Sequence, residues 1–106
     1  MISFDDFQKM ELVIGEITEV NDHPNADKLY VLKVTLGNEE RELVAGIKPY
    51  YSKEELKGRQ IVVIKNLQPA IIRGVKSEGM LLAAQDSQGV SLLIPDRRVE
   101  NGAKIR

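Results

Sequence analysis

Between residues 71 and 84 the chain reads Ile-Ile-Arg-Gly-Val-Lys-Ser-Glu-Gly-Met-Leu-Leu-Ala-Ala. Apolar ends enclose a polar, basic centre that Gly74 and Gly79 bracket. Arg73 and Lys76 could neutralise a phosphate, Ser77 offers a hydroxyl, and Met80 offers an adaptable apolar contact. Glycine inside a strand pattern marks a bulge or a close approach. The stretch therefore predicts two strand pieces joined at a kink that presents Arg73, Lys76, Ser77 and Met80 on a surface. Taken alone, a solvated hairpin with a bulge accounts for the same residues. Other reactive groups are sparse. His23 is the only histidine, with no serine–carboxylate arrangement beside it, and is read as structural, its ring packed or bonded within its own loop. The absence of cysteine excludes disulfides, thiolate zinc sites and cysteine nucleophiles. No catalytic set and no metal-ligating set is expected.

Charge gives a second line of argument. The net charge of −1 argues against nucleic-acid binding. Its distribution argues otherwise. Residues 1–47 hold 4 basic and 10 acidic side chains, residues 48–76 hold 7 and 2, and residues 77–106 hold 4 of each. The middle segment is thus +5 against −6 before it, which permits a basic face on a near-neutral protein. At 106 residues, 42% hydrophobic and 29% charged, the chain suits one globular domain with its own core. No apolar run approaches the ~18 residues of a membrane helix, and residues 1–6 lack the basic and apolar regions of a signal peptide. A cytoplasmic protein fits best.

The elements that must position these groups follow in order. Phe4, Phe7 and Met10 give one apolar side to a helical turn over 3–10, with Ser3 and Asp6 as capping partners and the phenylalanines as a lid on the core. Residues 11–20 read as a long strand bent at Gly15, and 21–27 as a turn-rich loop. Residues 28–36 and 41–47 form a hairpin across Gly37-Asn38. Ser52 and Glu55 form a capping box for a short helix, with Tyr51 stapled on Leu56 and Gly58 at its end. Residues 60–67 are a core strand, 85–89 a polar turn, 90–94 a further strand, and 104–106 a last short edge. Strand, hairpin, helix, strand and kinked hairpin is the order of an OB-fold, an all-β five-stranded Greek-key barrel with the helix between strands three and four. Extra strands follow at the C-terminus. The N-terminal turn covers 3–10, the barrel about 11–84 and the C-terminal extension 85–106. OB-folds bind across strands two and three and the loops after strands one and four, here 21–27 and about 67–76.

Five motifs then mark a resemblance. Val-Ile-Gly-Glu-Ile (13–17), His-Pro-Asn-Ala-Asp-Lys-Leu-Tyr (23–30), Ala-Gly-Ile-Lys-Pro-Tyr-Tyr (45–51), Ile-Val-Val-Ile-Lys-Asn-Leu (61–67) and Arg-Gly-Val-Lys-Ser-Glu-Gly-Met-Leu-Leu-Ala-Ala (73–84) stand in the order of the tRNA-binding domain family. That family comprises the C-terminal domain or β subunit of methionyl-tRNA synthetases and similar stand-alone proteins; the tail 92–106 also resembles it. The resemblance implies a non-catalytic module that binds tRNA by shape and charge and aids aminoacylation. It implies no cofactor, a homodimer paired through segments outside the barrel and, where the module is an accessory subunit and not a C-terminal domain, a separate catalytic polypeptide of methionyl-tRNA synthetase as partner. The family's binding-face positions fall on Lys28, Lys65, Asn66, Arg73, Ser77 and Met80, to which the charge reading adds Lys76. Ala45 stands where the family often has serine, and the acidic balance predicts weaker, more salt-sensitive binding. A chaperone-like, peptide-binding dimer of the same fold is the alternative. An RNA hydrolase is disfavoured by the single histidine and the absence of cysteine and of clustered loop carboxylates.

Overall fold

A computed structural model describes residues 1–106. Helix α1 (Phe4–Gln8) starts at Ser3, whose Oγ accepts from the Asp6 amide at 3.1 Å. Strand β1 (Leu12–Asp22) is the spine. Its second half pairs antiparallel with β2 (Tyr30–Thr35), and its first half with β4 (Gln60–Ile64). Gly15 is buried where a β-carbon would lie 2.6 Å from Val34 Cγ1 and 2.8 Å from Leu36 Cδ2, so glycine is needed for close packing. The break expected at Gly15 lies further on: the register with β2 shifts between Ile17 and Glu19, a bulge in this coiled strand.

Strand β3 (Glu40–Ala45) completes a regular hairpin with β2, from Thr35 opposite Glu40 to Tyr30 opposite Ala45. Helix α2 (Lys53–Leu56) forms as its capping box dictates. Ser52 Oγ accepts from the Glu55 amide at 3.2 Å and Glu55 Oε1 from the Ser52 amide at 2.8 Å. Its single turn drives Leu56 into the barrel, fully buried with Ile17, Leu32, Leu43 and Ile61. Tyr51 packs against that core and its hydroxyl accepts from the Leu92 amide at 3.1 Å.

The predicted kinked stretch is four short strands: β5 (Ala70–Ile72), β6 (Val75–Ser77), β7 (Met80–Leu81) and β8 (Ala83–Asp86). β5 and β6 form a hairpin across Arg73-Gly74, β7 adds to β4, and β8 pairs with β9 (Gly89–Leu92). The five-stranded sheet has the order β3-β2-β1-β4-β7. It closes because β6 and β7 return to β3: the Glu78 amide donates to Glu42 O at 2.8 Å, and the Val44 amide to Ser77 Oγ at 3.0 Å. This is the OB-fold barrel, with α2 between β3 and β4. The tail takes the edge of β1 that β2 leaves free, through Gly102 N to Ile14 O at 2.7 Å and Ile105 N to Leu12 O at 2.9 Å. Phe4 and Phe7 do not form the expected lid; Phe4 stacks on Phe7 with ring centroids 6.4 Å apart and is 69% exposed. No helix is long and apolar enough to cross a membrane.

Candidate nucleic-acid interface

The loop after β1 and the β5–β6 hairpin are built as one unit. His23 is 5% exposed and bridges them. Its Nδ1 accepts from the Asn25 amide at 2.9 Å, which assigns the ring proton to Nε2, and Nε2 donates to Ile72 O at 2.9 Å. The structural reading of His23 therefore holds, and its reach extends beyond its own loop to β5. Asn25 adds two contacts across the same gap. Its Nδ2 donates to Arg73 O at 3.2 Å, and its carbonyl accepts from Arg73 Nη2 at 3.3 Å. The hairpin turn has positive φ at both central residues, 52° at Arg73 and 91° at Gly74, the pattern of a type I′ loop.

Strand alternation sorts the predicted site residues. Lys76 stands opposite Ile71, and both side chains are exposed. Arg73 is exposed at the tip, and Lys28 on the neighbouring loop. None of Lys28, Arg73 and Lys76 has a carboxylate within ion-pair reach, unlike Lys48 and Lys53, which share Asp22 at 3.1 Å each. Met80 lies on β7 opposite Ile64, and with Ile71 and Leu67 it is an exposed apolar side chain. The expected placement of Arg73, Lys76 and Met80 on a surface is thus observed.

Ser77 is a correction. It was expected on that surface and is 4% exposed, because residue 77 shares the inward face with Val75. Its hydroxyl donates to Gly79 O at 2.9 Å while accepting from Val44 N, so both functions are committed to closing the barrel. Asn66 is also committed to the backbone: Oδ1 accepts from the Glu11 amide at 2.8 Å and Nδ2 donates to Lys9 O at 2.7 Å. Lys65 is only partly available, since its ammonium lies 3.7 Å from Glu11 and 3.8 Å from Glu39. Ala45 is buried in the barrel wall.

Two positioning residues escaped the sequence reading. Asn25 had only turn propensity to announce it. Arg41 fastens β3 to the turn after β4 and to the end of β6, donating from Nη1 to Lys65 O at 2.9 Å and Glu78 O at 3.1 Å. Its Nε also bonds Glu39 at 2.6 Å, and this bond, helped by the Arg41 and Lys65 charges, holds the Glu39 carboxyl below its usual range.

Comparison with known proteins places the chain in a family and agrees with its fold. Residues 12–104 match the family described as "Putative tRNA binding domain". The chain belongs to that family. It is 58% identical over 105 residues to a methionine–tRNA ligase of Thermococcus onnurineus, an alignment that covers 99% of this chain and 14% of the ligase. The chain therefore spans about a seventh of the relative's length. The MetRS related protein of Pyrococcus horikoshii superposes with a TM-score of 0.92 at 34% identity, covering 100% of this chain and 98% of that one. The CsaA chaperone protein of Picrophilus torridus superposes with a TM-score of 0.93 at 37% identity, covering 100% of both chains.

Proposed function

We propose that this tRNA-binding family domain holds tRNA on the face made by the loop after β1, the turn after β4 and the β5–β6 hairpin. It serves as the non-catalytic tRNA-binding part of a methionyl-tRNA synthetase in the cytoplasm, whether joined to the catalytic polypeptide or separate from it. One observation carries the reading. Three cations without carboxylate partners, Lys28, Arg73 and Lys76, stand on two segments that hydrogen bonds fasten together. Phosphate contacts supply affinity and register, so such cations suit recognition by charge and shape. Lys65 adds to the field at the edge of this face. Met80 and Ile71 pack on a ribose or an unstacked base. Ser77 and Asn66 act through the backbone they hold and not by touching RNA. A second copy joins through α1, where the exposed Phe4 and the neighbouring tail residues line a shallow groove, and two faces on one RNA raise affinity through effective concentration.

The exposed Ile71, Leu67 and Met80 also support the peptide-binding alternative, as does the likeness to the chaperone. Fluorescence anisotropy of labelled tRNA separates the two. Under this reading unlabelled folded tRNA competes well, single-stranded RNA poorly and unfolded peptides not at all. Peptide binding with indifference to tRNA would move the assignment to the alternative.

A further inference from the structure

The turn at the tip of the hairpin contains a contradiction. Type I′ loops favour asparagine or aspartate followed by glycine, because both central residues need positive φ. Here Arg73 occupies the first position at φ 52°, and it is the only non-glycine residue with positive φ in the chain. A β-carbon in that conformation is disfavoured and persists where its surroundings over-determine it. The surroundings are visible: carbonyls of two consecutive residues, Ile72 and Arg73, are gripped by His23 Nε2 and Asn25 Nδ2. The Arg73 guanidinium spends one weak 3.3 Å bond on Asn25 O. A guanidinium has five N–H donors, so most of its capacity stays free for an incoming anion.

From this juxtaposition we infer that His23 and Asn25 are positioning residues for Arg73, holding a disfavoured turn so that its guanidinium is ordered before a phosphate arrives. The inference rests on the tRNA-binding reading above and adds the device that makes Arg73 effective. Ordering a long cationic side chain in advance removes part of the entropic cost of association. Neither residue need touch the ligand. The part of their effect that passes through Arg73 distinguishes this role from general support of the fold and of the loop that carries Lys28.

A double-mutant cycle tests it, with tRNA as the probe. Asn25 is exposed, so Asn25→Ala leaves the barrel core intact. Alone it weakens tRNA binding by about threefold to tenfold, the loss of one hydrogen bond's worth of organisation. In the Arg73→Ala background the same change costs clearly less, what is left being the loosening of the loop that carries Lys28. His23→Phe keeps the ring's bulk without its bonds and shows the same dependence on Arg73. The salt slope of binding falls in Asn25→Ala, while its thermal midpoint stays close to that of the parent protein. An Asn25→Ala loss that adds in full to that of Arg73→Ala, or an Asn25→Ala affinity equal to the parent's, overturns the inference while tRNA binding stands. A parent protein that ignores tRNA at low salt overturns the functional reading, and the inference falls with it.

Discussion

Replacing Ser77 by alanine separates a ligand contact from a structural one. The hydroxyl accepts from Val44 N at 3.0 Å and donates to Gly79 O at 2.9 Å, and the residue is 4% exposed. Alanine leaves a backbone donor and a backbone acceptor without partners where β6 meets β3. An orphaned buried polar group costs about 1–3 kcal/mol. Two of them, with partial relaxation into the space left, give a loss of about 2–4 kcal/mol. Small domains are stable by about 5–15 kcal/mol, so this is a large share. Urea denaturation followed by circular dichroism measures it, and the thermal midpoint should fall by roughly 10–20 °C. Where the variant is folded, its tRNA affinity should stay within about twofold of the parent's, since no contact to RNA is lost. A stability change below about 0.5 kcal/mol, together with a tenfold loss of affinity, would refute the assignment and restore the hydroxyl to the binding surface.

Leu56→Ala empties a fully buried site in the barrel and should cost about 2–5 kcal/mol in the same denaturation assay, with a smaller loss marking a core that collapses around the gap. Arg73→Gly relieves the positive φ, so its thermal midpoint should equal or exceed the parent's while tRNA affinity drops; a destabilised variant would contradict the strained turn. Acid should weaken the fold through Glu16. Its carboxyl is held below its usual value first by the Asn101 side chain and then by Arg98, despite opposing desolvation. A depressed carboxyl contributes stability above its unfolded pKa, which is about 4.5, and loses it as pH falls through the folded value. Glu16→Gln should accordingly flatten the fall in stability below about pH 4.5, and an unchanged acid slope would dismiss the contact.

Features written in neighbouring residues were legible in the sequence. The capping box of Ser52 and Glu55, the Ser3 cap and the element order of the OB-fold all follow from spacing over a few positions. Orientation across distant segments was not. Arg73, Lys76, Ser77 and Met80 read as one surface because polar types cluster between the two glycines, yet a strand sends alternate side chains to opposite faces, and Ser77 goes inward with Val75. Arg41 offered no local signal because its partners lie 24 and 37 residues away. Asn66 was picked for the binding face by resemblance, and only the meeting of the segment between α1 and β1 with the turn after β4 reveals the two backbone groups, of Lys9 and Glu11, that it bridges. Phe4 was expected to close a core that the strands, α2 and Tyr51 already fill.

The central claim is electrostatic capture of tRNA on the hairpin face, and its most direct test is the salt dependence of tRNA binding for the parent protein beside Arg73→Ala/Lys76→Ala. For the parent, log K should fall linearly with log salt. The slope should be shallower by about 0.7–0.9 for each phosphate contact the double variant loses, with no change in stability. An identical slope in the two proteins, or a parent with no salt-dependent binding at all, would contradict it.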